Sequence, residues 1–239
     1  MAKLSVNINK IATLRNSRGG DTPNLLKVAR DIEEFGAEGI TIHPRPDERH
    51  IRYQDAYDLK EVVTSEYNIE GNPIDQFMKM VLEIKPTQVT LVPDGDHNIT
   101  SDAGWDTVKN QEYLKGIVAE FKSAGIRTSI FVDPVLEMVK GAAAIGADRI
   151  ELYTEDFAVQ YSKGNESAIK PYSAAAQLAH DLGMGVNAGH DLSLDNIEFF
   201  AKNIPHLAEV SIGHALVSES LYLGLENVVN MYKNKMKLS

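Results

Sequence analysis

Two histidines and two arginines lie within eight residues of one another in the segment 39–51, GITIHPRPDERHI. The β-branched run ITI predicts a strand, and the two prolines that follow it stop both a helix and a sheet ladder. His43, Arg45, Arg49 and His50 therefore stand just beyond a buried strand. Imidazoles and guanidiniums at such a place suit acid–base chemistry on an anionic substrate, whereas a solvated loop with a charge cluster is the structural alternative.

The histidines as a group favour the chemical interpretation. Five of the seven fall at the end of a predicted strand or in the loop after it: His43, His50, His97, His190 and His214. His180, in a predicted helix, and His206, before the last strand, are the exceptions. The strand ends and the loops after them thus carry most of the groups that titrate near neutral pH, and we expect an active site there.

Composition narrows the class of protein. The chain has 239 residues, a formal net charge of −10 and no cysteine. The acidic balance argues against a general nucleic-acid surface but allows a small phosphorylated substrate, which needs only a local positive pocket. The lack of cysteine excludes disulfides, thiolate catalysis and zinc–cysteine sites. No apolar run predicts a signal peptide or a membrane span, so we expect a cytoplasmic protein.

Eight predicted strands alternate with helices along the whole chain. They lie at residues 4–8, 40–42, 67–70, 88–92, 126–132, 149–153, 184–188 and 207–212. The repeated pattern GA-x-x-I at residues 36–40 and 146–150 marks a helix that ends at glycine and leads into a strand. Such alternation predicts a parallel sheet, and eight units predict a single domain, residues 1–239, folded as a (β/α)8 TIM barrel. A doubly wound open sheet is disfavoured because no G-x-G-x-x-G follows any strand.

An acid and a set of donors complete the predicted site. Glu70 ends the third strand, in NIEG, so its carboxylate is expected to point into the barrel mouth, where partial burial raises its pKa. Glu151, within IELY, is expected to lie lower in the barrel as a buried polar group or supporting partner. Glycine-rich turns after the seventh and eighth strands often bind phosphate. The predicted phosphate donors are Gly189, His190, Gly213, His214, Asn7 and Arg18.

Six motifs along the chain carry a resemblance to a known family: VNINKIATLRNSRG, GITIHPRPDERHI, NIEG, LVPD, VNAGH and SIGHA. In order and spacing the chain resembles the pyridoxine 5′-phosphate synthases. The resemblance implies a (β/α)8 barrel without metal or organic cofactor, assembled as a homo-octamer. It also implies condensation of 3-amino-2-oxopropyl phosphate with 1-deoxy-D-xylulose 5-phosphate to pyridoxine 5′-phosphate, phosphate and water.

The resemblance also implies roles for individual residues. His43 and Glu70 are expected to accept protons, and His190 is expected to donate one. The implied site for aminooxopropyl phosphate comprises Asn7, Arg18, Gly189, His190, Gly213 and His214. The implied site for deoxyxylulose phosphate comprises Arg45, His50 and Thr100, and Thr100 lies in a long loop that would close over the substrates.

The first strand departs from the family pattern. Members commonly have Asn-Ile-Asp-His where this chain has Asn-Ile-Asn-Lys, with Asn9 and Lys10 at the changed positions. We interpret both as substrate-binding, with Lys10 as a cation that replaces the histidine. One alternative is a Schiff-base lyase of aldolase type that uses Lys10 as its nucleophile. The other is a phosphosugar-binding barrel without catalysis, which would have no need of a carboxylate beside a phosphate.

Overall fold

Eight parallel strands close into a barrel in a computed structural model of the chain, which describes residues 2–94 and 103–237. Each strand pairs with its neighbours in chain order, and the first also pairs with the eighth. The strands are β1 Lys3–Asn7, β2 Gly39–Ile42, β3 Glu66–Gly71, β4 Gln88–Leu91, β5 Arg127–Val132, β6 Arg149–Leu152, β7 Gly185–Ala188 and β8 Leu207–Ile212. The predicted (β/α)8 barrel is confirmed, and the open-sheet alternative is wrong because β1 and β8 are hydrogen-bonded to each other.

Helices connect the strands and pack around the barrel. They are α1 Asn9–Asn16, α2 Leu25–Glu34, α3 Tyr53–Lys60, α4 Asp75–Ile84, α5 Gln111–Ser123, α6 Leu136–Ile145, α7 Glu155–Ser162, α8 Lys170–Asp181, α9 Ile197–Asn203, α10 His214–Leu223 and α11 Leu225–Lys237. Within residues 2–94 and 103–237, none of the helices has the length and apolar character needed to cross a membrane.

Two glycines terminate helices as the repeated sequence pattern predicts. Gly36, just after α2, has φ 100°, and Gly146, just after α6, has φ 87°. This left-handed backbone favours glycine because a side chain there would crowd the following carbonyl. Each glycine turns the chain from its helix directly into the next strand, which sets the start of β2 and of β6.

The interior of the barrel is polar rather than filled with aliphatic side chains. Ser5 and Thr41 share a hydrogen bond of 2.7 Å, and the Asn68 amide donates to Thr41 at 3.4 Å. The Thr90 hydroxyl donates to Asn68 at 3.1 Å. These buried side chains therefore satisfy one another across neighbouring strands, as buried polar groups must.

A charged layer lies at the amino-terminal end of the barrel. Arg127 donates to Gln88 at 2.9 Å, and Arg149 donates to Asn187 at 2.9 Å and to Glu209 at 3.1 Å. Glu209 is buried, and burial raises its pKa above the usual range in spite of the nearby arginines. The polar layers inside the barrel thus continue from the strand starts to the strand ends.

Helix α1 buries a charged residue against the rest of the barrel. Its buried face consists of Ile11, Ala12 and Arg15, so a charged residue takes a place that is usually apolar. Arg15 is only 4% exposed; its guanidinium donates to both oxygens of Asp55, at 2.7 and 2.8 Å, and to the His50 carbonyl at 3.2 Å. Asp55 in α3 makes this burial of an arginine possible.

Replacing Arg15 with alanine should lower the free energy of unfolding by about 3–5 kcal/mol, the usual cost of removing one member of a buried ion pair. Urea denaturation followed by circular dichroism measures this loss. Arg30→Ala removes an exposed guanidinium from α2 and should change stability by less than about 0.5 kcal/mol. If the two variants have equal stability, Arg15 does not anchor the segment around His50.

Candidate active site

The carboxyl ends of the strands surround a cavity of about 520 Å³. The structure brings most of the predicted site residues to its wall, namely Asn7, Asn9, Lys10, His43, Arg45, His50, Glu70, His190, Gly213 and His214. Arg18 is exposed after α1 and does not line the cavity, and Gly189 lies behind the wall beside Ser211. Thr100 and His97 lie outside the described residues. The two histidines expected elsewhere, His180 and His206, stack on each other away from the cavity.

His43 lies between two carboxyl groups at the end of β2. Its Nδ1 is 3.9 Å from Glu70 Oε2, and its Nε2 is 3.9 Å from Asp94 Oδ2. Its backbone N–H donates to the Asn9 side-chain oxygen at 2.9 Å. Burial, and then the positive charge of Arg45, lowers the pKa of His43 well below its usual value. The imidazole is therefore neutral and can accept a proton.

Two buried carboxyl groups, Glu70 and Glu151, face the same cavity. Burial raises the pKa of Glu70 well above its usual value, and the negative charges of Glu151, Asp94 and Glu209 raise it further. Burial and the charge of Glu209 raise the pKa of Glu151 to about 7. Because two such carboxylates repel each other, the pair retains a proton at neutral pH.

His190 has the opposite tendency to His43. Burial lowers its pKa, but a 2.6 Å hydrogen bond from Nδ1 to Asp191 and the charge of that carboxylate outweigh burial, so the net shift is upward. The residue has φ 47°, and its ring meets the ring of Tyr153 edge-on with centroids 5.5 Å apart. Asp191 thereby favours the protonated imidazolium, which can donate a proton into the cavity.

Polar side chains and backbone donors occupy the remaining wall. Lys10 and His214 are exposed at the rim, and α10 begins at His214, so the first N–H groups of this helix are available to an anion. A Cβ atom built on Gly213 would lie 3.1 Å from the Asn7 Cβ. Glycine at this position therefore leaves space for the Asn7 side chain, whose amide donates to Glu70 at 3.4 Å.

His50 and Arg45 extend the wall along the loop after β2. Burial, and then the charges of Arg45 and Lys10, lower the pKa of His50 to about 4, so this imidazole is neutral. Arg45 is buried and donates a hydrogen bond to Asp94. A neighbouring cavity of about 290 Å³ lies beyond this pair, and His43, Arg45 and Arg49 belong to the walls of both.

Among the described residues around the cavity, Glu151, Asp191 and Asp94 are three of the acids that the sequence did not predict to form the site. Glu151 was expected lower in the barrel. Asp191 follows His190 directly and was not predicted to belong to the site, and Asp94 was included only as the last residue of the motif LVPD. Each lies near the end of a strand or in the loop that follows one, as the predicted site residues do. Acidic residues at the carboxyl end of a predicted strand, or in the loop after it, would therefore have been the sequence signal for these three.

The cavity at the end of the barrel combines one histidine of lowered pKa, one histidine of raised pKa, and a carboxyl pair that holds one proton. Cationic side chains stand nearby. These features define an acid–base enzyme of the (β/α)8 class for anionic substrates. Residues 4–238 match the family described as pyridoxal phosphate biosynthesis protein PdxJ, and the chain belongs to this family. It is 72% identical over 237 residues to a pyridoxine 5′-phosphate synthase of Flavobacterium johnsoniae, covering 99% of this chain and 100% of the relative. The pyridoxine 5′-phosphate synthase of Christiangramia forsetii is 67% identical over 237 residues, again covering 99% of this chain and 100% of the relative.

Solved structures with low sequence identity share the fold. Phosphoribosylanthranilate isomerase of Thermotoga maritima superposes with a TM-score of 0.62 at 13% identity, covering 99% of both chains. The 3-keto-L-gulonate-6-phosphate decarboxylase of Vibrio cholerae gives 0.66 at 7% identity, covering 99% of this chain and 97% of the other. At these identities the likeness concerns the barrel alone.

Glu151→Gln should stabilise the protein in a pH-dependent way. The folded pKa of Glu151, about 7, lies above the ordinary 4.5, so the wild type loses stability as pH rises through this interval. Because glutamine cannot ionise, its advantage should grow between pH 5 and pH 8 by up to about 3 kcal/mol. Urea denaturation at both pH values measures it, with the exposed Glu61→Gln as control. A difference that is the same at both pH values would contradict the raised pKa of Glu151.

Proposed function

We propose that the chain is a pyridoxine 5′-phosphate synthase that condenses 3-amino-2-oxopropyl phosphate with 1-deoxy-D-xylulose 5-phosphate. The products are pyridoxine 5′-phosphate, inorganic phosphate and water. The observation that carries the proposal is one cavity in which a neutral His43, a protonated carboxyl pair and a proton-donating His190 stand beside cationic groups. The name of relatives up to 72% identical supports the same reaction.

Every step of the condensation requires a proton to be moved, and these side chains can supply or accept it. The substrate amine adds to a ketone, the adduct loses water to give an imine, inorganic phosphate leaves, and the ring closes and becomes aromatic. In our proposal His190 donates a proton to a departing oxygen, and His43 accepts one from carbon or nitrogen. Glu70 starts protonated, so it first donates a proton and then, as a carboxylate, accepts the next.

The two phosphate groups are proposed to bind at different parts of the rim. The aminooxopropyl phosphate site would use Asn7, His190, Gly213 and His214 of the cavity wall, together with Arg18 and Gly189, which stand outside that wall. The deoxyxylulose phosphate site would use Asn9, Lys10, Arg45, His50 and Thr100. For Asn9 the contact with the His43 backbone adds a second task, since its side-chain oxygen holds the proposed proton acceptor in place.

We also propose that the chain is one domain, works in the cytoplasm without a cofactor and assembles as a homo-octamer. Apolar side chains at the end of α10 support contact between copies, since Leu221 is 75% exposed and Tyr222 is 90% exposed. Burial of such side chains against another copy would remove apolar surface from water.

The reaction is tested by incubating the purified protein with both substrates. We expect the absorbance and mass of pyridoxine 5′-phosphate, together with one inorganic phosphate for each product molecule. Cleavage of deoxyxylulose phosphate in the absence of the amine would favour the lyase instead. Binding of either substrate without any conversion would favour the phosphosugar-binding barrel.

Glu70→Gln should reduce turnover by roughly two to four orders of magnitude, the usual contribution of a positioned acid–base group. Glutamine keeps the size and hydrogen-bonding capacity of the side chain, so the Michaelis constants should change only a few-fold. Steady-state kinetics measures both parameters, and the exposed Glu61→Gln should behave as the wild type. Near-normal turnover of Glu70→Gln would remove this residue from the mechanism.

Lys10→Ala should raise the Michaelis constant for deoxyxylulose phosphate more than it lowers turnover, because Lys10 is proposed to bind phosphate. A Schiff-base lysine needs a desolvated pocket to become nucleophilic, and Lys10 is exposed. Borohydride added during turnover should therefore leave no adduct on the protein by mass spectrometry. A reduced adduct on Lys10 would replace the synthase mechanism with the lyase mechanism.

A further inference from the structure

Asp94 is a buried acid between the main cavity and its smaller neighbour. It follows β4, and its side chain is 4% exposed. Its Oδ2 accepts a hydrogen bond from Arg45 Nη2 and lies 3.9 Å from His43 Nε2. Its backbone carbonyl accepts from the Asn72 amide at 2.8 Å. Hydrogen bonds thus hold both the side chain and the backbone of Asp94, and its carboxylate faces the Nε2 side of the His43 ring.

The two nitrogens of His43 have different surroundings. Nδ1 faces Glu70 and Nε2 faces Asp94, each at 3.9 Å. The Arg45 guanidinium favours the ionised form of Asp94, whereas Glu70 holds a proton because of burial and the negative charges around it. A neutral imidazole has one N–H, and its lower-energy position is beside the negative carboxylate.

We propose that Asp94 is a positioning residue that keeps the proton of neutral His43 on Nε2 and leaves the lone pair of Nδ1 facing Glu70 and the main cavity. The use of Nδ1 as a proton acceptor during turnover rests on the proposed function, whereas the assignment of the tautomer does not. A carboxylate that selects a histidine tautomer is an established device of acid–base catalysis. The 3.9 Å separation between Nε2 and Oδ2 exceeds a hydrogen bond, yet a charge acts at this distance, and catalytic hydrogen bonds are often long before substrate binds.

The other charged groups around His43 support this assignment. Arg45, Arg49 and the protonated His190 each disfavour a second proton on the ring, so Asp94 acts on a neutral imidazole. When Nδ1 takes a proton from substrate, the imidazolium that forms lies between Asp94 and Glu70. The Asp94 charge then stabilises that imidazolium, which is a contribution to turnover rather than to substrate binding.

The tautomer can be read directly from the ¹⁵N chemical shifts of the histidine ring nitrogens in the ligand-free protein. The His43 signals are assigned by their disappearance in His43→Asn. We expect the Nε2–H tautomer in the wild type and a shift toward Nδ1–H in Asp94→Asn, because the amide can donate to Nε2. Turnover of Asp94→Asn should fall by at least about tenfold and at most about 10⁴-fold, with Michaelis constants within a few-fold. Asp58→Asn, an equal charge change on the exposed face of α3, is the control.

An Nδ1–H tautomer in the wild type would overturn the proposal, and so would a tautomer that is unchanged in folded Asp94→Asn. If Asp94→Asn does not fold by circular dichroism, the wild-type spectrum alone decides. The spectrum needs no substrate, so a protein that makes no pyridoxine 5′-phosphate contradicts the proposed function without affecting this test. Equal losses of turnover in Asp94→Asn and Asp58→Asn would also overturn a specific role for Asp94.

Discussion

Burial of carboxyl groups inside a closed parallel barrel is the constraint on which the site depends. A carboxylate removed from water is costly unless it is paired, so a group without a full partner keeps its proton. Glu70 and Glu151 both project from strands into the polar interior, where the charge of Glu151 makes ionisation of Glu70 less favourable. The hydrogen-bonded side chains below them make this interior tolerable for polar groups. The result is a pair of carboxyl groups that holds a proton at the floor of the cavity.

The loop after β2 supplies the complementary groups. Its position depends on Arg15, which joins α1 to Asp55 and to the His50 carbonyl. The loop then places Arg45 against Asp94 and places His43 between two acids.

The two histidines of the cavity differ because their neighbours differ. His43 is neutral because it is buried beside a guanidinium, whereas His190 remains a proton donor because the adjacent Asp191 carboxylate stabilises its charged form. Opposite pKa shifts on two residues of one type provide the acceptor and the donor that a condensation needs.

The features that depend on local sequence pattern, namely the barrel and the end of it that carries the site, were predictable from the sequence. Strand periodicity and the glycines at residues 36 and 146 were enough for the barrel, and the barrel rule brought His43, Glu70 and His190 to one end. The burial of Arg15 in α1 was not predictable, because a buried arginine is recognisable only when its partner Asp55, 40 residues away, is known. Likewise, the contact between Asp94 and His43 joins distant parts of the chain. Whether an acid is buried, and which nitrogen it faces, are properties of the folded chain.

The central claim is that Glu70 is protonated at neutral pH in the ligand-free enzyme. Infrared difference spectroscopy between the wild type and Glu70→Gln tests it most directly, because a protonated carboxyl group and a carboxylate absorb in separate regions. At neutral pH we expect the wild type to have a carboxylic acid C=O band that the variant lacks. Loss of carboxylate bands instead would show that Glu70 is ionised and would contradict the account.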